Sequence, residues 1–419
     1  MRILTAGKKQ ILIIYYLVLI VVSFFLMKPN TLIPSSERIV MLFLIFIPTV
    51  FNVRLFPFVF LVFSGISRSS FSPILPTNSF YVSLIVIAVF LFYKRKSFKV
   101  LGYFLVFFYF FFICAIHLDI SQNFLIWIPL AIMVTDMIQS KEDLKYLSYA
   151  FLIISLFLSI LFLFHREDYL VQYGRMSEGL ERSGWINANE FGAVIAAGGV
   201  LSAASLVRLI DLKIPVFVNF AILIISVYVL VLNASRGAFF SFVGASAFLL
   251  ILSKTKIYLK VLIILVSGVI IFYMLDNNVF DLLSYRMQDD TFETGGDRFR
   301  IWRIKLGAFF SEDSILQMLL GISRDACNNL VEDISTHNDF VTAIIGYGII
   351  GFLIFIYAIV IYPIRIALKH NLTFVILFLL FLILECFVAE PFFRGNIVIV
   401  MFYFYIMKFL FINSGYQLT

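Results

Sequence analysis

A succession of apolar runs constrains this chain more than any other feature of its sequence. They lie at about 10–27, 39–51, 55–66, 80–93, 100–118, 122–138, 146–164, 189–209, 214–232, 237–253, 257–275, 338–361, 372–388 and 395–412. A helix needs about 20 residues to cross the hydrocarbon core of a bilayer. The runs 39–51 and 55–66 are short for full spans. We therefore expect an all-α, polytopic integral membrane protein with about 12–14 transmembrane helices.

The composition excludes a water-soluble globule. The chain is 62% hydrophobic and 14% charged, whereas a soluble domain is about half apolar and a quarter charged. A cleaved signal peptide is not expected, because the apolar run that follows the basic N-terminus ends without a small-residue cleavage site. The three cysteines show no spacing that would suit a metal or a disulfide framework.

Two polar stretches divide the chain into five parts. Transmembrane helices are expected in 1–164, 189–275 and 338–419, and outer loops in 165–188 and 276–337. A loop of about 60 residues between buried elements usually has a function of its own.

Lysine and arginine are distributed differently along the chain. With the N-terminus in the cytoplasm, short inner loops hold 13 of the 15 lysines, as the positive-inside rule expects. The outer side holds 12 of the 17 arginines, namely Arg38, Arg68, Arg166, Arg175, Arg182, Arg236, Arg286, Arg298, Arg300, Arg303, Arg324 and Arg394. Because a guanidinium binds phosphate oxygens bidentately, this pattern predicts a phosphate-binding outer face. The alternative is a set of ordinary interfacial arginines.

Arg236 occupies a connection of a few residues between two apolar runs. Small residues flank it on both sides in Asn233-Ala234-Ser235-Arg236-Gly237-Ala238. We expect it at the membrane boundary, where it can contact a lipid headgroup. It could instead extend to the interface without binding anything.

The shorter outer loop runs into Asn187-Ala188-Asn189-Glu190. Asn187 or Asn189 is expected to cap the helix that follows. Glu190 is expected to be stabilised by the helix dipole or to hydrogen-bond a sugar. Arg182, Asn189 and Glu190 are candidate substrate contacts on this face.

The long outer loop contains the pattern of an amphipathic helix. Gly295-Gly296-Asp297 resembles a turn before a helix that starts at Arg298, and apolar residues then recur at helical spacing up to Phe309. This predicts a helix on the outer leaflet surface with Trp302 as an interfacial anchor. Arg298 is the residue best placed to reach inward.

His337 closes the long loop, and Asn338 follows it. An imidazole exchanges protons near neutral pH, so His337 is the candidate general base. Asn338 is a candidate substrate contact, and His165 is a rival base on the same side. Glu385 is the main charge deep within a span, where it could pair with an outer arginine or mark a proton path.

Four motifs together resemble the O-antigen polymerase (Wzy-type) and O-antigen ligase superfamily over about the C-terminal 60% of the chain. They are Asn187-Ala188-Asn189-Glu190-Phe191-Gly192, Ser235-Arg236-Gly237, Gly296-Asp297-Arg298-Phe299-Arg300-Ile301-Trp302 and His337-Asn338-Asp339-Phe340 with Gly346-Tyr347-Gly348-Ile349-Ile350-Gly351. Each motif is weak alone, but their order and shared side make the set moderately specific.

The resemblance implies a helical membrane architecture of the kind found in lipid-linked-sugar glycosyltransferases (GT-C type). It also implies a periplasmic site in the bacterial inner membrane, with both termini cytoplasmic. Arg236 and Arg298, with Arg300, would bind the pyrophosphate of an undecaprenyl-pyrophosphate-linked oligosaccharide, and His337 would act near the acceptor hydroxyl. We expect no metal, no cofactor and no nucleic acid. Membrane lipids and a chain-length regulator protein are the other expected partners.

Several functions fit these motifs. An O-antigen polymerase for lipopolysaccharide biosynthesis is preferred over an O-antigen ligase acting on lipid A-core, from which the motifs do not distinguish it. A capsule or exopolysaccharide polymerase would have the same features. A flippase or other transporter also has about 12 spans, but it usually carries internal repeats and midplane charges.

Overall fold

The computed structural model describes ten stretches of the chain and isolated positions within 15–49 and 257–276. The stretches are 52–68, 101–117, 123–164, 188–233, 235–253, 298–311, 314–330, 336–372, 375–393 and 396–414. Every regular element within them is a helix. These are α1 (Phe56–Arg68), α2 (Leu101–Ile116), α3 (Asn123–Asp136), α4 (Lys141–Phe164), α5 (Ala188–Leu206), α6 (Val216–Leu232), α7 (Arg236–Leu252), α8 (Arg298–Phe310), α9 (Ile315–Leu320), α10 (Arg324–Asn329), α11 (Asp339–Ile356), α12 (Tyr362–Lys369), α13 (Val375–Val388) and α14 (Ile397–Ser414).

Three helices of the described part are long and apolar enough to cross a membrane. They are α4, α5 and the continuous run Asp339–Lys369, in which the π-helical turn Tyr357–Ile361 joins α11 to α12. Seven shorter apolar helices of 10–17 residues accompany them. The chain is therefore consistent with an all-α membrane protein.

Small residues on α5 allow three helices to pack closely around it. A Cβ added at Gly198 would lie 2.2 Å from the Cβ of Ser155 on α4, and one at Gly199 would lie 2.7 Å from the Phe242 ring on α7. Helices in a membrane gain little from the hydrophobic effect, so close approach through small residues supplies their attraction. Helix α5 is thus the centre of the α4–α7 group.

One end of the bundle is marked by two lysine–carboxylate pairs. Lys145, at the start of α4, pairs with Asp211 in the α5–α6 loop at 3.2 Å. Lys408, near the end of α14, pairs with Asp136 at the end of α3 at 3.3 Å. We call this the lysine end.

The segment 276–337, expected to be mainly a loop with one helix, contains three described helices. Two of them, α9 and α10, pack on α11, where the Ile322 and Ser323 amides donate to Ile345 and Gly346 carbonyls at 3.0 and 2.9 Å. Those carbonyls are accessible because α11 leaves helical geometry at Gly348, whose φ is 70°. The segment is therefore attached to the membrane helices through hydrogen bonds to their backbone.

Helix α8 is present over Arg298–Phe310 but differs from the expected surface helix. Ile301, Lys305 and Phe309 are buried on one face, because α8 packs against the start of α11 and against α10. The Trp302 indole is half-buried and donates to the Thr336 carbonyl at 2.7 Å. Trp302 thus joins two protein segments through its polar edge, which is the edge that an interfacial anchor would direct to lipid headgroups.

Candidate functional site

The candidate site lies at the end of the bundle opposite the lysine end. Helices α5, α7, α8 and α11 begin there, and α13 ends there. We call this the arginine end, because Arg236, Arg298 and Arg324 lie at the starts of helices there. The structure thus brings the described candidate residues to one end of the molecule.

Arg236 is the first residue of α7 and is half-buried. The N-cap residue Ser235 makes no capping bond through its side chain; its hydroxyl donates to the Asn189 amide oxygen of α5 at 3.1 Å. A Cβ added at Gly192 would lie 3.0 Å from the Ser235 side chain. This close packing fixes the start of α7 against α5.

The same end of α7 packs against the last turn of α13. A Cβ added at Gly237 would lie 2.5 Å from the Val388 side chain. One turn further along, Glu385 faces Ser241 and interacts electrostatically with Arg298. The Glu385 side chain is fully buried, and neither of its oxygens accepts a hydrogen bond of standard geometry. Arg298 therefore lies within electrostatic reach of a buried carboxyl group beside the start of α7.

Arg298 and Arg300 lie on different faces of α8. Residues two apart on a helix do not face each other, whereas residues three or four apart do. Arg298 shares its face with Trp302, which contacts the His337 segment, while Arg300 is exposed. The structure therefore places Arg298 toward the site and Arg300 on the outer side of α8.

His337 lies between two buried residues in the segment that leads into α11. Its backbone has a φ of 49°, in the left-handed region that non-glycine residues rarely occupy. Thr336 and Asn338 are each 1% exposed, while His337 is half-buried. Unusual backbone of this kind persists only where its surroundings impose it.

Asn338 and Asp339 hold this segment from the α11 side. The Asn338 side-chain oxygen accepts from the Phe340 and Val341 amides at 2.8 and 3.1 Å and so caps α11. The Asp339 carboxylate accepts from the Phe392 and Phe393 amides at 3.1 Å. Asn338, a candidate substrate contact by sequence, instead has a buried amide oxygen occupied by capping.

Sequence reasoning overlooked Glu390, which follows α13 and is 1% exposed. Its carboxylate accepts from Thr336 and Thr342. Its second oxygen lies 3.7 Å from Arg324 Nη2. An acidic residue between two apolar runs, on the side rich in arginine, was the available signal.

The other residues predicted from sequence as helix caps, substrate contacts or a rival base are only partly described by the structure. Asn189 is the second residue of α5, so it does not cap that helix, and its amide instead accepts from Ser235. Glu190 lies in the first turn of α5, as expected, and is 9% exposed. Arg182, Asn187 and His165 lie outside the described residues.

The arginine end combines buried carboxyl groups with arginine side chains on neighbouring helices. Burial, followed by the nearby Glu390 carboxylate, raises the pKa of the Cys327 thiol to about 12. Within the described stretches, no group of three or more His, Cys, Asp and Glu side chains is arranged to hold a metal ion. The chemistry that this arrangement offers is anion binding by guanidinium groups beside an imidazole.

No family model matches this chain, and no curated protein matches it.

Proposed function

We propose that the chain is an O-antigen polymerase, which joins undecaprenyl-pyrophosphate-linked oligosaccharide repeat units on the periplasmic face of the bacterial inner membrane. One observation carries the proposal: Arg236 and Arg298 begin helices, and His337 lies in the segment before α11, at the same end of the bundle. Contacts link their segments, because Glu385 interacts with Arg298 beside α7 and Trp302 binds the carbonyl before His337. The sequence motifs described above supply the substrate class.

Arg236 and Arg298 act on the leaving group. Each lies at the first residue of a helix, where backbone N–H groups and the helix dipole also favour an anion. Two guanidinium groups stabilise the negative charge that develops on the pyrophosphate as its bond to the sugar breaks. Charge stabilisation of this kind is the contribution that a metal ion makes in other transferases.

His337 acts on the incoming sugar. Its imidazole takes the proton of the acceptor hydroxyl while that oxygen attacks the anomeric carbon. The new glycosidic bond forms as the carbon–oxygen bond to pyrophosphate breaks, so undecaprenyl pyrophosphate leaves and the proton remains on His337. A single displacement inverts the anomeric configuration.

Related transferases differ from an O-antigen polymerase in the acceptor or in the polymer. An O-antigen ligase would use lipid A-core as its acceptor, whereas a capsule or exopolysaccharide polymerase would share the lipid-linked acceptor and differ in the polymer that it builds. A transporter is a third candidate, because Glu385 is a buried carboxyl in an apolar helix. Its interaction with Arg298 at the arginine end favours a role in the anion site over one in a midplane proton path.

Complementation of a polymerase-null strain tests the function. We expect the wild-type chain to restore a ladder of lipopolysaccharide bands, and Arg298→Ala or His337→Ala to reduce it to a single repeat. Thr135→Val, a buried substitution near the lysine end, is the matched control and should keep the ladder. Surface polymer that is lost while lipid-linked polymer accumulates would indicate a ligase. A block in translocation of single units would indicate a transporter.

Chelation tests the expected metal independence. Because arginines supply the positive charge at the leaving group in this mechanism, we expect excess EDTA to leave the transfer rate of the purified protein unchanged. A rate that falls with EDTA and returns with a divalent cation would contradict this mechanism.

A further inference from the structure

We propose that Glu390 is a positioning residue for His337, which it holds through the Thr336 hydroxyl. The inference rests on the proposed function, in which His337 is the general base. It adds a residue from the α13–α14 connection that the sequence motifs do not contain.

Glu390 connects the His337 segment to two other parts of the molecule. The hydroxyls of Thr336 and Thr342 lie 2.6 Å apart, and both reach the same Glu390 oxygen. The other oxygen faces Arg324, whose side chain is 15% exposed while that of Glu390 is 0% exposed. Charge-assisted hydrogen bonds between buried groups are stronger than neutral ones and have defined geometry.

The residues on both sides of His337 are fixed, whereas His337 itself is half-buried. Thr336 is held by Glu390 through its hydroxyl and by Trp302 through its carbonyl. Asn338 is held by the first turn of α11. A backbone fixed at both neighbours leaves the residue between them little choice of φ and ψ, which accounts for the left-handed conformation of His337.

Releasing one neighbour should relax this conformation. A non-glycine residue in the left-handed region carries backbone strain that other contacts must offset. Without the Thr336–Glu390 contact, the segment can return to an ordinary backbone conformation and turn the imidazole away from its working direction. A displacement of about 1 Å can cost about a hundredfold in rate.

A purely structural role for Glu390 makes a different prediction. If the contact only stabilised the fold, its loss would lower stability and would weaken substrate binding and turnover together. If it positions His337, its loss lowers turnover and leaves the pyrophosphate site intact, because Arg236 and Arg298 lie on other helices. Comparing the change in kcat with the change in the affinity for undecaprenyl pyrophosphate therefore separates the two roles.

The test uses the full chain in lipid nanodiscs. Donor units come from a strain that lacks the gene and accumulates single lipid-linked repeats. Four variants are compared with wild type: Thr336→Val, Thr336→Ser, Glu390→Gln and Thr135→Val. The kcat of transfer is measured together with the inhibition constant of added undecaprenyl pyrophosphate, and the unfolding temperature of each variant is recorded.

Thr336→Val keeps the side-chain shape and removes the hydroxyl, so we expect kcat to fall about 10- to 100-fold. The inhibition constant should stay within about twofold of wild type, because the pyrophosphate contacts are unchanged. Thr336→Ser restores the hydroxyl and should recover most of the rate. Thr135→Val should leave both quantities unchanged. If Glu390→Gln folds poorly, the two Thr336 variants still decide the matter.

Four outcomes separate this inference from the proposed function. Equal kcat values for Thr336→Val and Thr336→Ser would overturn the positioning role, as would a parallel loss of kcat and undecaprenyl pyrophosphate affinity. Unchanged transfer by His337→Ala, measured in the same assay, would remove the proposed base and with it the proposed mechanism. A His337→Ala variant that is inactive beside a fully active Thr336→Val would leave the function standing and reject Glu390 alone.

Discussion

Lys305 is the residue that attaches α8 to α10. It is 1% exposed, and its ammonium group donates to the Cys327 and Asn328 carbonyls at 2.8 and 2.7 Å. Those carbonyls belong to the last turn of α10, where a helix favours a cation. A lysine on the side of the molecule where arginine dominates thus has a structural role.

Replacing Lys305 tests that role. Lys305→Met keeps the apolar stem but leaves two carbonyls without their donor, so we expect a loss of about 1–3 kcal/mol in stability. Lys145→Met is the matched control, because Lys145 makes its pair at the surface, where ion pairs contribute little. Thermal unfolding in detergent compares the two. Equal unfolding temperatures would contradict the structural role of Lys305.

Cys327, outside the membrane spans, has a thiol whose chemistry is altered by its surroundings. Burial raises its pKa to about 12, and only the thiolate reacts with maleimides. We therefore expect no labelling of the folded protein at pH 8 and labelling after denaturation. Cys327→Ser is the control that identifies the labelled site by mass spectrometry. Rapid labelling at pH 8 without denaturant would contradict the buried environment.

Helix α11 contains a break that allows the 315–330 region to dock. Gly348 has a φ of 70° and Gly321 a φ of 83°, and the two lie against each other's segments. A Cβ at Gly348 would lie 2.2 Å from the Leu319 carbonyl oxygen, and one at Gly321 would lie 2.4 Å from the Gly346 carbonyl oxygen. Only glycine fits at either position.

Gly348→Ala is expected to be strongly destabilising, because it adds both a steric clash and a disfavoured backbone angle. Gly307→Ala is the matched control: it lies within α8, and nothing lies within 4 Å of an added Cβ. Alanine is favoured over glycine there by about 0.5–1 kcal/mol. The unfolding temperature should fall in the first variant and rise slightly in the second. Similar changes in the unfolding temperature of the two variants would contradict the requirement for glycine at position 348.

The sequence predicts elements of this protein better than it predicts their contacts. The helix beginning at Arg298 follows from helical spacing, and apolar runs predict most described spans. The half-buried position of Trp302 does not follow, because it depends on the Thr336 segment, 34 residues further along the chain. The capping role of Asn338 is local, since its partners are the Phe340 and Val341 amides, and an asparagine before an apolar run is a readable signal for it. Local patterns determine where a helix lies, while tertiary contacts determine which face is buried.

On the scale of the whole molecule, the cations that mark the two ends of the bundle differ, although Lys305 and Arg208 are exceptions. Lys145, Lys213 and Lys408 lie at one end, and Arg236 and Arg298 at the other. This separation agrees with the pattern expected from sequence. Because the two ends can be told apart, the orientation of the protein across a membrane can be tested directly.

Single engineered cysteines test that orientation. Arg303→Cys and Lys213→Cys lie at exposed positions of opposite ends, and the three native cysteines are buried. We expect a membrane-impermeant maleimide to label Arg303→Cys in spheroplasts, because the arginine end is proposed to be periplasmic. Lys213→Cys should be labelled only after permeabilisation. The reverse pattern would place the site on the cytoplasmic side.

The candidate site was partly predictable at this scale. The uneven distribution of arginine predicted that Arg236 and Arg298 lie on the same side of the molecule, and both begin helices at one end of the bundle. It did not indicate Glu390, because the contact with Thr336 joins residues 54 positions apart and leaves no periodic trace. Nor did it distinguish Arg298 from Arg300, because that distinction depends on which face of α8 packs against the rest of the protein.

The long separation between Thr336 and Glu390 affects the order in which the protein becomes complete during translation. The ribosome adds Glu390 54 residues after Thr336, when α11, α12 and α13 have already been made. A nascent chain that stops before this point has every motif residue but lacks the anchor for its histidine. Under the proposed function, newly made molecules become competent only once α13 and its connection to α14 have been made, and products that terminate before Glu390 are not expected to transfer lipid-linked sugar.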